Sequence, residues 1–254
     1  KSDSTGSRRH NRSVWISMVA LNRFSQSHVV NLRLSPKPVM ALTSVRTSGI
    51  VFLNECYLCF DMVPITIIAG CPCAGKTALS SALAESSERG IHLSLDSFFS
   101  FVTHIIDPTK PESDEQNKTI TRSGLRAARA FFESGYDVFV DGVFGPWWVP
   151  TLIEEYGAEV PVEYVVIRAS LVDELDRAYK REGEKLSSLR PAGRPFREVV
   201  EAMHPKFADL GEFEEHVLET EGLSIKEVFA EYSRRHDLHE FDLDVTPFLG
   251  KETS

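Results

Sequence analysis

From Met62 onward, apolar and polar positions follow a regular pattern. Pro64 to Ala69 (PITIIA) is a short β-branched run that stops at a Gly-rich turn, which predicts a buried strand. Lys76 to Glu88 carries Leu79, Ala82 and Leu83 on one face and predicts a helix. Ile91 to Leu95 reads as a second strand, ending at Asp96. A polar stretch with Pro108 and Pro111 leads to a helix over Ser113 to Ser134. Its apolar stripe is Ile120, Leu125, Ala128 and Phe132, and Gly135 stops it. Val138 to Val140 predicts a buried strand ending at Asp141, and Val162 to Ile167 another. Leu171 to Glu182 predicts a helix, and Val217 with Leu218 a short last strand. Ser224 and Glu227 have capping-box spacing, opening a helix that runs to about Arg235. Strands alternating with helices at this spacing predict an α/β domain, a parallel sheet covered on both faces.

Residues 1–61 lack this pattern. They are rich in Ser, contain Pro36 and Pro38, and show no sustained period, which predicts a poorly structured tail. The segment holds eight basic residues against three acids, net +5, whereas the remainder holds twenty against thirty-four, net −14. Three readings stand side by side: an Arg- and Ser-rich targeting peptide, a flexible arm, and a non-native extension. Met62, directly before the first clear strand, favours the last. The domain is expected over 62–236, with a polar, acidic C-terminal tail over 237–254.

Composition narrows the function classes. The hydrophobic fraction of 42% is too high for a largely disordered chain. The net charge of −9 argues against a general nucleic-acid binder, which needs a basic surface. No run of eighteen apolar residues suits a membrane span. Four cysteines are too few for a disulfide scaffold and fit a reducing, cytoplasmic setting.

The chemistry is carried by Gly70-Cys71-Pro72-Cys73-Ala74-Gly75-Lys76-Thr77, which reads G-x-x-x-x-G-K-T between a strand and a helix. Such a loop turns backbone N–H groups toward phosphate oxygens, and the following helix adds the positive end of its dipole. Lys76 is placed to reach the β- and γ-phosphates and Thr77 to ligate Mg²⁺. Cys71 and Cys73 are expected to act as small apolar residues. A zinc site joining them to Cys56 and Cys59 would destroy the phosphate cradle.

Two carboxylates end strands where ligand sites of parallel sheets gather. Asp96 can take the proton of an attacking hydroxyl, or merely cap the next segment. Asp141, after Val138-Phe139-Val140, can hold Mg²⁺, or serve only as a turn residue before Gly142. Arg177 and Arg181 share a helix face. Arg190, Arg194 and Arg197 lie in a stretch with Gly183, Pro191, Gly193 and Pro195, whose composition predicts a mobile lid at about 182–198. Phe98, Phe99 and Phe101, and the pair Trp147 and Trp148, sit just after strand ends. Phe99, Trp147 and Trp148 are the expected substrate contacts. His104 and His204 are read as structural.

From about Val63 to Arg235 the chain resembles the P-loop small-molecule kinases, in particular the chloramphenicol phosphotransferase-like and zeta-toxin-like proteins, often described simply as AAA-type ATP-binding proteins. The resemblance rests on the loop Gly70–Thr77, on LSLDSFF around Asp96, on VFVDGVFGPWW around Asp141, and on VEYVVIRASLVDELDRAYKREG running into the lid. It implies a three-layer sandwich with a five-stranded parallel sheet in the order 2-3-1-4-5, and ATP with Mg²⁺. It also implies Asp96 as general base and Arg181 and Arg190 as clamps on the transferring phosphoryl group. Cys73 departs from the family pattern.

The resulting expectation is transfer of the γ-phosphate of ATP to a hydroxyl of a small molecule, with neither nucleic acid nor membrane as partner. A nucleotide switch working with a protein partner is the alternative, and a nucleic-acid-end kinase a more distant one. Oligomeric state and acceptor are left open.

Overall fold

The computed structural model describes residues 15–21, 27–33, 63–183 and 195–248. The chain divides into two units, Lys1–Met62 and Val63–Ser254. In the first, β1 (Trp15–Leu21) and β2 (Ser27–Arg33) pair antiparallel, from Trp15↔Arg33 to Leu21↔Ser27. These strands fall within the segment expected to be a poorly structured tail; the rest of that segment lies outside the described residues. WISMVAL and SHVVNLR are rich enough in β-formers to pair locally, although neither alternates cleanly.

The second unit runs β3 (Ile65–Gly70), α1 (Lys76–Ser86), β4 (Gly90–Ser94), α2 (Asp114–Glu133), β5 (Asp137–Asp141) and α3 (Val149–Tyr156). It continues with β6 (Val162–Arg168), α4 (Leu171–Gly183), α5 (Phe196–Met203), β7 (Val217–Glu219) and α6 (Ile225–His236). The sheet order is β4-β5-β3-β6-β7 and every pairing between these strands is parallel. Counted within this unit, the order is 2-3-1-4-5, as expected. β3 at the centre is buried along its whole length, and β6 beside it nearly so. That double-sided burial is why both read as unbroken apolar runs. Leu79 and Leu83 of α1, and Leu125 and Ala128 of α2, complete the core against the sheet.

A polar cluster interrupts the core far from the loop end of the strands. Glu163 pairs in register with Thr66 and is almost wholly buried. Its carboxylate accepts from Thr66 Oγ1 at 3.0 Å and Tyr232 OH at 2.8 Å, and pairs with His236 Nδ1 at 2.5 Å. These contacts fix α6 to the sheet, with its N-terminus closed by the Ser224–Glu227 capping box.

Three features differ from the sequence expectation. The residues after α6, expected as a polar C-terminal tail, are anchored to the sheet as far as Leu243. Phe241 is fully buried, Leu243 N–H donates to Val162 O at 2.9 Å, and Tyr164 N–H donates to Phe241 O at 2.9 Å. They extend the β6 edge beyond the three-residue β7. Asp96 stands in a 3₁₀ segment, Leu95–Phe101. α3 was not foreseen, although Val149, Leu152 and Tyr156 have helical spacing and Pro150 suits a first turn. The expected lid falls largely on 184–194, outside the described residues, and its last residues enter α5, which carries Arg197.

Candidate active site

The loop between β3 and α1 lies at the carboxyl end of the central strand. Gly70 has φ 142°, and a Cβ there would stand 2.4 Å from the Ile167 carbonyl oxygen, so only glycine lets β3 turn this close to β6. Cys73 adopts the left-handed region at φ 67°, unusual for a residue with a side chain. The departure at Cys73 therefore costs local strain, of about 1 kcal/mol, without changing the course of the loop. α1 opens after Gly75 with no side-chain cap, so its first-turn N–H groups have no side-chain acceptor. An uncapped helix start beneath a tight glycine turn fits a phosphate chain. Lys76 is buried, and its Nζ donates to Cys71 O at 2.8 Å.

Beside the loop, Thr77 Oγ1 donates to Asp141 Oδ2 at 2.6 Å. Asp141 Oδ1 lies 2.9 Å from His92 Nε2, and His92 Nδ1 lies 3.2 Å from Ser81 Oγ. Burial pushes the Asp141 carboxyl upward, but hydrogen bonds from His92 and Thr77 and the charge of Lys76 outweigh it. Its pKa lies below the ordinary carboxylate value. A buried, ionised carboxylate touching the loop hydroxyl suits a divalent cation. His92 was missed in the sequence: a single His in a short strand gives no signal until β4 pairs with β5 and sets His92 against Asp141.

Thr77 and His92 line a cleft of about 1500 Å³, together with Asp96, Phe99, Trp147 and Trp148. The expected acceptor residues are thus on one surface with the loop hydroxyl. Asp96 is exposed in the first turn of its 3₁₀ segment. Trp147 is 42% exposed, and its ring packs 5.5 Å from that of Phe207 and lies beneath Lys206 Nζ at 5.7 Å. Gly145 permits this, because a Cβ there would fall 2.1 Å from the Trp147 ring. Trp148 is half-buried against the core, so part of the aromatic wall is structural. Asn117, also lining the cleft, buries an Oδ1 with no hydrogen-bond partner among the described residues.

Of the expected cations, Arg177 is placed and two are not. Arg177 Nη1 donates to Cys73 O at 3.0 Å and Ala74 O at 2.8 Å, bracing the loop through its carbonyls. The side chain of Arg181 and all of Arg190 lie outside the described residues. His204 has a partner that the sequence does not reveal: its Nδ1 lies 2.8 Å from Glu174 Oε2, on α4.

No family model matches the sequence, and no curated protein matches it. Solved structures do. A sugar kinase from Janibacter sp. HTCC2649 aligns over 70% of this chain and 96% of its own, with TM-score 0.53 and 15% identity. A candidate kinase from Chloroflexus aurantiacus j-10-fl aligns over 68% of this chain and 98% of its own, with TM-score 0.52 and 18% identity. The second unit shares its α/β fold with these two structures. At these identities the likeness is one of architecture.

Proposed function

We propose that the chain is an ATP-dependent phosphotransferase that moves the γ-phosphate of ATP to a hydroxyl of a small molecule. The observation that carries this reading is the shared cleft: Thr77, in the first turn of α1 after the phosphate loop, and Asp96, in the 3₁₀ segment after β4, line one cavity with an aromatic wall. A plain nucleotide switch has no use for an acceptor-sized cavity beside its loop.

The loop amides and Lys76 hold the β- and γ-phosphates, and Lys76 exchanges its contact with the Cys71 carbonyl for phosphate oxygen. Thr77 and Asp141 would hold Mg²⁺, with His92 orienting Asp141, and the cation would supply neutralisation of phosphate charge. Asp96 accepts the proton of the acceptor hydroxyl as its oxygen bonds to Pγ, while the bond from Pγ to the bridging oxygen breaks and ADP leaves. Arg181 and Arg190 stabilise the charge of the transferring group. Phe99, Trp147 and Trp148 hold the acceptor, and Asn117 offers it a hydrogen bond. The finer placement among chloramphenicol phosphotransferase-like and zeta-toxin-like kinases belongs to this proposal, on the motifs around Asp96 and Asp141.

The test is ATP consumption with Mg²⁺ across a panel of hydroxyl-bearing small molecules, with the products weighed by mass spectrometry. One acceptor that raises turnover and gains one phosphoryl group supports the reading. Slow hydrolysis that a protein partner accelerates, with every acceptor unmodified, favours the switch instead.

A further inference from the structure

Behind the phosphate loop lies a side-chain cluster for which phosphoryl transfer has no use. Cys71 comes from the loop, Glu174 from α4, and His204 from the turn after α5. One donor atom from each lies within 4.8 Å of the others. We propose that Cys71, Glu174 and His204 form a zinc-binding site on the back of the phosphate loop.

The donor set is a thiol, a carboxylate and an imidazole, which are the ligand types zinc takes, and three protein ligands leave a fourth position for water. Cys71 and Glu174 are each only 1% exposed. His204 Nδ1 already lies 2.8 Å from Glu174 Oε2, so two of the three donors meet between α4 and the turn after α5. The cluster is near the size of a tetrahedral site. Zn–S bonds of about 2.3 Å and Zn–N or Zn–O bonds of about 2.0–2.2 Å are compatible with donor atoms that all lie within 4.8 Å of one another.

Unlike a site joining both loop cysteines to Cys56 and Cys59, a metal on Cys71 alone leaves the phosphate cradle in place. The Cys71 Sγ is turned toward Val200 O, 3.8 Å away, and its carbonyl separately receives Lys76. Binding displaces the Cys71 thiol proton to solvent, while neutral His204 ligates through Nδ1 and Glu174 through Oε2. No electron transfer is involved. The bound metal ties the loop to α4 and to the α5 side of the cleft, so zinc and nucleotide affinities become linked reciprocally.

The test uses the full chain, stripped with chelator and titrated with ZnCl₂ against a chromophoric competitor, then with CoCl₂ by absorption. The expected result is one equivalent of zinc and one proton released per metal, with a thiolate-to-cobalt charge-transfer band. Cys71→Ser and His204→Gln should each weaken binding by about 100-fold or more, and Cys71→Ser should abolish the band. His204→Gln, on the partly exposed ligand, keeps the test decisive should the loop variant misfold. A Cys56→Ser/Cys59→Ser variant should keep the site. Absence of stoichiometric binding, full affinity in His204→Gln, or loss of zinc only in the Cys56/Cys59 variant overturns the proposal. None of these readouts depends on kinase activity.

Discussion

The hydroxyl of Thr77 and the carboxylate of Asp141 meet at 2.6 Å, joining the first turn of α1 to the end of β5. The contact sets Asp141 beside the phosphate loop and leaves its other oxygen to His92. Asp141→Ala should lower kcat by about 100-fold or more and raise the Mg²⁺ concentration needed for half-maximal rate. Nucleotide binding without metal should change little. His92→Phe should shift the Mg²⁺ dependence more than kcat, since His92 acts through Asp141. Steady-state rates across a Mg²⁺ series check both.

Asp96→Asn removes the proton acceptor while keeping the shape of the side chain. Transfer should fall by about 10²–10⁴-fold, with the Kd for ATP unchanged within about twofold. Calorimetric ATP titration alongside the rate assay separates the two quantities. Equal losses in both would remove Asp96 from the base role.

Trp147 is the aromatic side chain on the cleft wall with a markedly exposed ring. Trp147→Ala should raise the acceptor KM about tenfold or more while leaving kcat at saturation within a few-fold. That is the signature of lost ground-state binding. Initial rates over an acceptor series give the split.

Gly70→Ala forces a Cβ to 2.4 Å from a backbone oxygen of β6, in a backbone region that alanine avoids. The loss should be about 2–3 kcal/mol of stability, together with phosphate binding. Denaturant unfolding measures the first and nucleotide titration the second.

The Glu163 cluster makes stability depend on pH. The hydrogen bond to Glu163 raises the His236 pKa above its ordinary value, against the opposing effect of burial. A raised histidine pKa contributes fully below the unfolded value of about 6.5, and that contribution disappears as pH rises through the folded pKa. The stability advantage over His236→Gln should therefore shrink as pH is raised from 6 through 8. Thermal unfolding of both proteins across that range gives the answer. His216 works in the other direction: burial lowers its pKa, so it opposes folding as pH falls below about 6.5.

Much of the second unit was legible because its signals are local. PITIIA before a glycine turn, the periodic faces of α1 and α2, and the Ser224–Glu227 box each need only neighbouring residues. The loop motif located the phosphate site for the same reason. What stayed hidden depends on distant pairing. His92 gains meaning only from Asp141, forty-nine positions on. Glu174 and His204 look like surface polar residues until α4 and α5 pack together. The C-terminal residues read as polar because Phe241 stands between Glu240 and Asp242 in a stretch with no sustained apolar run, and a sheet edge is what buries it.

The central position of β3 governs how the chain must assemble. β3 precedes every other strand of its sheet, yet its neighbours are β5 and β6, with Ile67 opposite Val140 on one side and Tyr164 on the other. About seventy residues must close before the β5 ladder can form and about ninety before the β6 ladder, which places the domain among slow, high-contact-order folders. On the ribosome, ITIIAG emerges well before any partner strand and stays an unpaired apolar segment through several seconds of elongation. Strand order thus sets how long this segment must be kept from wrong partners during synthesis.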